Sequence, residues 1–377
     1  MIDPHHIYQA ICEQGVDFFT GVPDSLLKDF CACVTEQGNE KSHVIAANEG
    51  GSISLATGHF LATGRCGLVY LQNSGLGNTI NPLVSLADPS VYSIPMLLMV
   101  GWRGEPGVKD EPQHVRQGEI TLPTLEALGV PTLILDDEEE TALQQIKQAH
   151  TQAMAESRPV ALLVRKGIFS TYQSATAPTF ADLPMSRERA LEILLENAGE
   201  QSTIVSTTGK TSREVFEIRE KSYAGEHDQD FLTVGSMGHC SQIALGIALA
   251  QPERKVMCLD GDGAALMHLG GMAIIGNAQV KHFTHVLLNN GAHESVGGQP
   301  TVGMELNIPQ LGASLGYDLC LSCDDETSLR TALLECSQHT GKTLLEVKIA
   351  VGSRKDLGRP TLTPLENRQA FQHRLIS

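Results

Sequence analysis

The stretch KVMCLDGDGAALMHL, residues 255–269, joins an aliphatic run to a glycine-flanked acid, Asp262, and then to small and apolar residues. A short continuous apolar run closed by glycine reads as a strand covered on both faces. The residues after Gly263 read as a helix. Open α/β sheets carry their chemistry at such a corner, where a strand ends and a helix begins.

The pattern recurs upstream. LVYLQNSG (68–75) parallels VMCLDGDG (256–263), and SLATGHFLA, around Gly58, parallels IALGIALA, around Gly246. LPTLEALGV (122–130) resembles IPQLGASLGY (308–317), and RPVALLVRKG (158–167) resembles GKTLLEVKIA (341–350). Four matches in one order at a nearly constant offset indicate an internal repeat. Each half alternates aliphatic runs with helical stretches, which predicts two related doubly wound α/β domains with parallel sheets. The Ser/Thr/Ala/Pro-rich segment around 173–185 reads as the linker between domain 1–172 and domain 186–377.

Composition narrows the function classes. The 377 residues carry 27 Lys and Arg against 44 Asp and Glu, a net charge of −17, which opposes a general role on nucleic acid or anionic membrane. The N-terminus lacks a basic head before an apolar core, and no apolar run reaches the length of a membrane span. Nine scattered cysteines, of which only Cys320 and Cys323 have metal-like spacing and lack a second pair, suggest a reducing, cytoplasmic setting.

Two phosphate motifs fail. GDGAAL places Leu266 where a dinucleotide fingerprint needs glycine, and Gly209-Lys210-Thr211 lacks the upstream glycine of a P-loop, since residue 204 is Ile. A metal reading does better. Asn290 closes the next apolar run, HVLLNNG, and one crossover helix fits between it and Asp262. Neighbouring parallel strands would bring the carboxylate and the amide to one edge. Such hard oxygen ligands suit Mg²⁺, and Gly263 and Ala264 would let amides at the helix start approach a phosphate.

Gly-Asp-Gly, 25 residues (264–288) and then Asn-Asn resembles the signature of thiamine diphosphate-dependent enzymes. The resemblance implies Mg²⁺ held by Asp262, Asn290 and the backbone oxygen of Ala292. It implies a cofactor cradle of Thr208, Gly209, Gly235, Ser236, Met237, Gly238, His239, Gly261, Asp262, Gly263, Ala264 and Asn290, with Met237 wedged under the bent cofactor. In IAANEGG it implies that Glu49 hydrogen-bonds the aminopyrimidine and activates it. Family members also place the cofactor between domains of two chains, which implies a homodimer or homotetramer.

There is no room for the third, middle domain of many such decarboxylases. The compact order resembles the phosphonopyruvate and sulfopyruvate decarboxylases, through TGVPDSLLKDF (20–30), GWRGEPGVKDEPQH (101–114), TTGKTSREVFE (207–217) and GSRKDLGRPTLTPLENRQAF (352–371). The implied activity is non-oxidative decarboxylation of 3-phosphonopyruvate to phosphonoacetaldehyde and CO₂. Sulfopyruvate decarboxylation and a thiamine diphosphate-dependent carboligase remain the alternatives. In an acidic chain the substrate anion needs local donors, for which Ser25, Arg103, Lys109, Lys210, Arg213, Arg354 and Lys355 are candidates. Asp24 and His114 are candidates for proton handling.

Overall fold

A computed structural model describes the chain except for residues 176–179, 200 and 201, and the linker expectation falls partly on these. The described residues form two compact units, Met1–Pro178 with Ser295–Gln299, and Thr179–Glu294 with Pro300–Ser377.

The first unit holds a six-stranded parallel sheet: β1 (Phe19–Gly21), β2 (His43–Ile45), β3 (Gly67–Gln72), β4 (Met96–Gly101), β5 (Thr132–Ile134) and β6 (Pro159–Val164). The order across it is β2-β1-β3-β4-β6-β5. The second holds β7 (Thr203–Ser206), β8 (Asp230–Leu232), β9 (Val256–Gly261), β10 (His282–Asn289), β11 (Leu319–Cys323) and β12 (Gly341–Lys348). Its order is β11-β12-β10-β9-β7-β8. Read from its far edge, the second sheet repeats the strand order of the first. All four sequence matches fall on equivalent elements: the third strand, the helix before it, the helix before the fifth strand, and the sixth strand.

Side-chain alternation explains why both faces of each sheet are covered. In β4, Leu97 and Met99 enter one apolar cluster, whereas Met96, Leu98 and Val100 enter another on the opposite face. In β9, Met257 and Leu259 face one core while Val256 and Cys258 face the other. With no polar face available, these strands are central and parallel.

The chain runs from β1 to β2 on one side, then crosses back past β1 to β3 on the other. This reversal opens a crevice at the carboxyl ends of β1 and β3, and the repeat opens its counterpart at β7 and β9. Asp24 and Gly75 follow the first pair; Thr208 and Asp262 follow the second.

One expectation needs correction. Between Asp262 and Asn290 lie two short helices, Asp262–Met267 and Gly270–Asn277, rather than one. His268 leaves helical geometry, at φ −131° and ψ 48°, just before the Gly270-Gly271 pair. Cys320 and Cys323 both lie on β11, and all nine cysteines are free. No helix among the described residues is long and apolar enough to cross a membrane.

Candidate active site

In the first unit, Glu49 opens the helix Glu49–Thr63, capped by the Asn48 side chain on the Gly51 amide. The residue is 5% exposed, and its carboxyl accepts a 2.7 Å bond from Asn78 Nδ2. Burial pushes the carboxyl above its ordinary range, and the Asn78 bond only partly offsets this. The carboxyl lies against Gly75, where a β-carbon would collide with it.

Asp24 follows β1 and is fully buried. Burial pushes its carboxyl up to about 6, against the opposing pull of the Leu26 amide and of Arg103. Oδ2 accepts from Leu26 N at 3.1 Å, and the carboxyl presses on Gly101, which also leaves no space for a β-carbon. Oδ1 has no partner among the described residues. Arg103, just beyond β4, donates from Nη1 to Ser25 Oγ at 2.8 Å and grips Asp110 with Nε and Nη2. Burial would raise the Asp110 carboxyl, but Arg103 and two backbone amides outweigh it and hold it well below the carboxylate range. Asn73 fixes the Arg103 backbone, donating to its carbonyl at 2.8 Å. His114 is half-buried; burial and the Arg103 charge lower its imidazole, and its Nδ1 is buried without a partner. The first unit therefore gathers Ser25, Arg103, Asp24 and His114 at one sheet edge. Lys109, six residues beyond Arg103, is exposed.

Asp24 also sets a stability prediction. Its folded pKa of about 6 lies above the unfolded value, so the stabilising neutral form is lost as pH rises through 6. Asp24→Asn should therefore gain about 1–3 kcal/mol at pH 8 and little at pH 4. Urea unfolding at the two pH values checks this. A variant more stable yet less active would mark Asp24 as a functional group.

In the second unit, β9 and β10 pair with Gly261 opposite Leu288, which sets Asp262 and the Asn289-Asn290 pair side by side. Asp262 is 4% exposed, and burial pushes its carboxyl up to about 6 despite bonds from Thr301 and from the Gly263 and Asn290 amides. The Thr301 hydroxyl donates to Oδ2. Asp262 forms no ion pair among the described residues. A β-carbon on Gly303 would stand 2.7 Å from Asp262 Oδ2 and 2.8 Å from Asn289 Oδ1. Asn290 Oδ1 accepts from the Ala292 amide at 3.0 Å, which keeps Ala292 in the same tight turn.

Met237 sits on a strained loop. Ser236 adopts φ +53°, unusual for a residue with a β-carbon, and Gly238 adopts φ +84°. A β-carbon at Gly238 would meet the His268 ring at 2.6 Å. One at Gly263 would stand 3.1 Å from His293 and 3.5 Å from the Met237 methyl, so these three residues converge. Ser236 and His239 are exposed, and Gly235 is half-buried. Thr208 follows β7, and Gly209, at φ +96°, caps the helix Lys210–Ser222.

Three of the four basic candidates of this unit are otherwise engaged. Lys210 Nζ lies 2.6 Å from Glu294 Oε1. Arg354 is bound by Glu188, Glu217 and Asp356. Arg213 donates to the carbonyls of Gly358 and Leu357, and Lys355 is exposed.

Residues 4–125 match the N-terminal TPP binding domain of thiamine pyrophosphate enzymes, and residues 208–347 match the C-terminal TPP binding domain. The chain belongs to the thiamine pyrophosphate enzymes. This thiamine pyrophosphate enzyme is 33% identical to a phosphonopyruvate decarboxylase of Streptomyces viridochromogenes, over 99% of this chain and 94% of that one. It is 32% identical, over the same shares, to a phosphonopyruvate decarboxylase of Streptomyces hygroscopicus. A sulfopyruvate decarboxylase of Methanosarcina acetivorans is 26% identical over 79% of this chain and 78% of its own.

A buried carboxyl that forms no ion pair among the described residues, beside the Asn289-Asn290 amides, is the chemistry a hard divalent ion takes. Sequence reasoning did not find Asn78, Thr301, Glu294 or His293 in this enzyme. His293 is 9% exposed, and burial lowers its imidazole to about 4, so it is neutral at physiological pH. The available signal was its place in NNGAHE, directly after the metal motif. Gly75, Gly101 and Gly303 were missed as a set: each is the contact that admits one of the three site carboxyls.

Proposed function

We propose that the chain catalyses the thiamine diphosphate- and Mg²⁺-dependent decarboxylation of 3-phosphonopyruvate to phosphonoacetaldehyde and CO₂. The observation that carries the reading is the presence of a buried Glu49, its carboxyl pushed up by burial, and of a buried Asp262–Asn290 corner on two sheets of one repeated design. Asp262, Asn290 and Ala292 would hold Mg²⁺, and Met237 with its neighbouring glycines would seat the cofactor. When bound, thiamine diphosphate supplies an electron sink for the pair left by departing CO₂.

The chain's own groups do the rest. Glu49, its carboxyl raised by burial, would hydrogen-bond the cofactor ring and exchange a proton with it. Arg103 and Ser25 bind the substrate anion, and Asp110 fixes the guanidinium so that little is lost in orienting it. Asp24, protonated up to about pH 6, delivers the proton that replaces CO₂, with His114, near Arg103, as the second candidate. One proton is consumed per CO₂ released.

A second copy of the chain completes the reading. The helix Glu49–Thr63 exposes Leu55 and Leu61, and the segment after it exposes Ile80, Val84 and Tyr92. Exposed apolar side chains on the helix that carries Glu49 and in the segment beyond β3 favour a homodimer that covers them.

The test supplies thiamine diphosphate, Mg²⁺ and, separately, pyruvate, sulfopyruvate and phosphonopyruvate, and measures CO₂ release. Phosphonopyruvate should turn over fastest. Preference for sulfopyruvate would refute the substrate, and no CO₂ from any would refute the reaction. The near-complete cover of the chain by the two phosphonopyruvate decarboxylases supports the phosphonate reading over the sulfonate one.

A further inference from the structure

Glu294 lies four residues past Asn290 and is held from three sides. Oε2 accepts from Arg187 Nη1 at 2.8 Å and from Asn290 Nδ2 at 3.0 Å, and Oε1 accepts from Lys210 Nζ at 2.6 Å. Arg187 is buried and forks onto Glu214 with bonds of 2.8 and 3.0 Å. A continuous polar chain thus runs from Glu214 through Arg187 and Glu294 to Asn290.

An asparagine amide has two unlike ends, and only its oxygen can bind a cation. An ionised carboxylate accepts hydrogen bonds and cannot donate them. Glu294 therefore keeps the NH₂ end of Asn290 on its own side and turns Oδ1 the other way. There Oδ1 accepts from the Ala292 amide at 3.0 Å, which leaves its second lone pair for another partner. Without Glu294 the amide could rotate and aim NH₂ at the cation.

We infer that Glu294 is a positioning residue for the divalent cation, orienting the Asn290 amide, with Arg187 and Lys210 fixing Glu294 in turn. This rests on the reading of Asp262 and Asn290 as cation ligands. It also gives Lys210 a role other than substrate binding. Outer partners of metal ligands commonly change metal affinity by about 10–100-fold.

The test titrates Mg²⁺ into mixtures of thiamine diphosphate with wild-type protein or Glu294→Gln, following cofactor binding by calorimetry and CO₂ release in parallel. The variant should need about 10–100-fold more Mg²⁺ for half-maximal cofactor binding. At saturating Mg²⁺ its kcat and substrate KM should return to wild-type values, which a merely structural defect would not allow. Should Glu294→Gln fail to fold, Lys210→Met decides by the same measurement, with a smaller shift in the same direction. An unchanged Mg²⁺ requirement, or a loss that Mg²⁺ does not rescue, overturns the inference. If the wild-type protein itself binds no cofactor, the reading of the cation site fails instead.

Discussion

Glu49→Gln should bind thiamine diphosphate near the wild-type level and lose turnover by about 10²–10⁴-fold, the range that a positioned acid or base contributes. Glutamine keeps the side chain's length and can still meet Asn78, so the packing against Gly75 survives. What disappears is the exchangeable carboxyl proton. Calorimetric cofactor affinity and single-turnover CO₂ release, measured side by side, separate the two effects. Turnover within a few-fold of wild type would remove Glu49 from the mechanism. Lost cofactor binding with normal folding would make Glu49 a binding group instead.

Asp262→Ala should weaken Mg²⁺-dependent cofactor binding by more than about 100-fold, beyond the effect of losing an outer partner. The apoprotein should not suffer in proportion. The carboxyl titrates near 6 when folded, above its ordinary value, so at pH 7 the native state bears the cost of a buried charge. Its removal relieves that cost, which offsets the lost Thr301 bond. Thermal unfolding without cofactor checks the fold, and cofactor titration checks the site. An unfolded variant would make Asp262 structural, and a folded variant with normal cofactor affinity would remove it from the cation site.

What could be read from the chain alone was what is local or periodic. The aliphatic runs of β9 and β10 marked covered parallel strands. The spacing of Asp262 and Asn290 marked adjacent strand ends, and the four internal matches marked a repeat that the two sheets carry in identical strand order. Short edge strands such as β8 are three residues long and leave little periodic signal. The break at His268 depends on backbone geometry beside Gly238, which composition does not encode.

The candidate site was legible as a set of acids and less so as a set of cations. Asp24, Glu49 and Asp262 each stand next to a strand end in sequence. The glycines that admit them are distant in the chain: Gly101 for Asp24, Gly75 for Glu49 and Gly303 for Asp262. Basic residues can be counted in a sequence, but their neutralising partners cannot be seen there. Arg103 answers a carboxylate only seven positions away, at Asp110, and also reaches Ser25, whereas Lys210 and Arg354 answer carboxylates more than 80 positions away, at Glu294 and at Glu188 with Glu217.

In the function proposed above, one chain carries both a cation corner for a diphosphate and an acid for the ring of a thiamine coenzyme. Calorimetric titration of the purified protein with thiamine diphosphate, with Mg²⁺ and again with a chelator, tests it most directly. Saturable binding with Mg²⁺ that the chelator abolishes is the expected result. Binding that ignores the chelator, or no binding at saturating Mg²⁺, would contradict it.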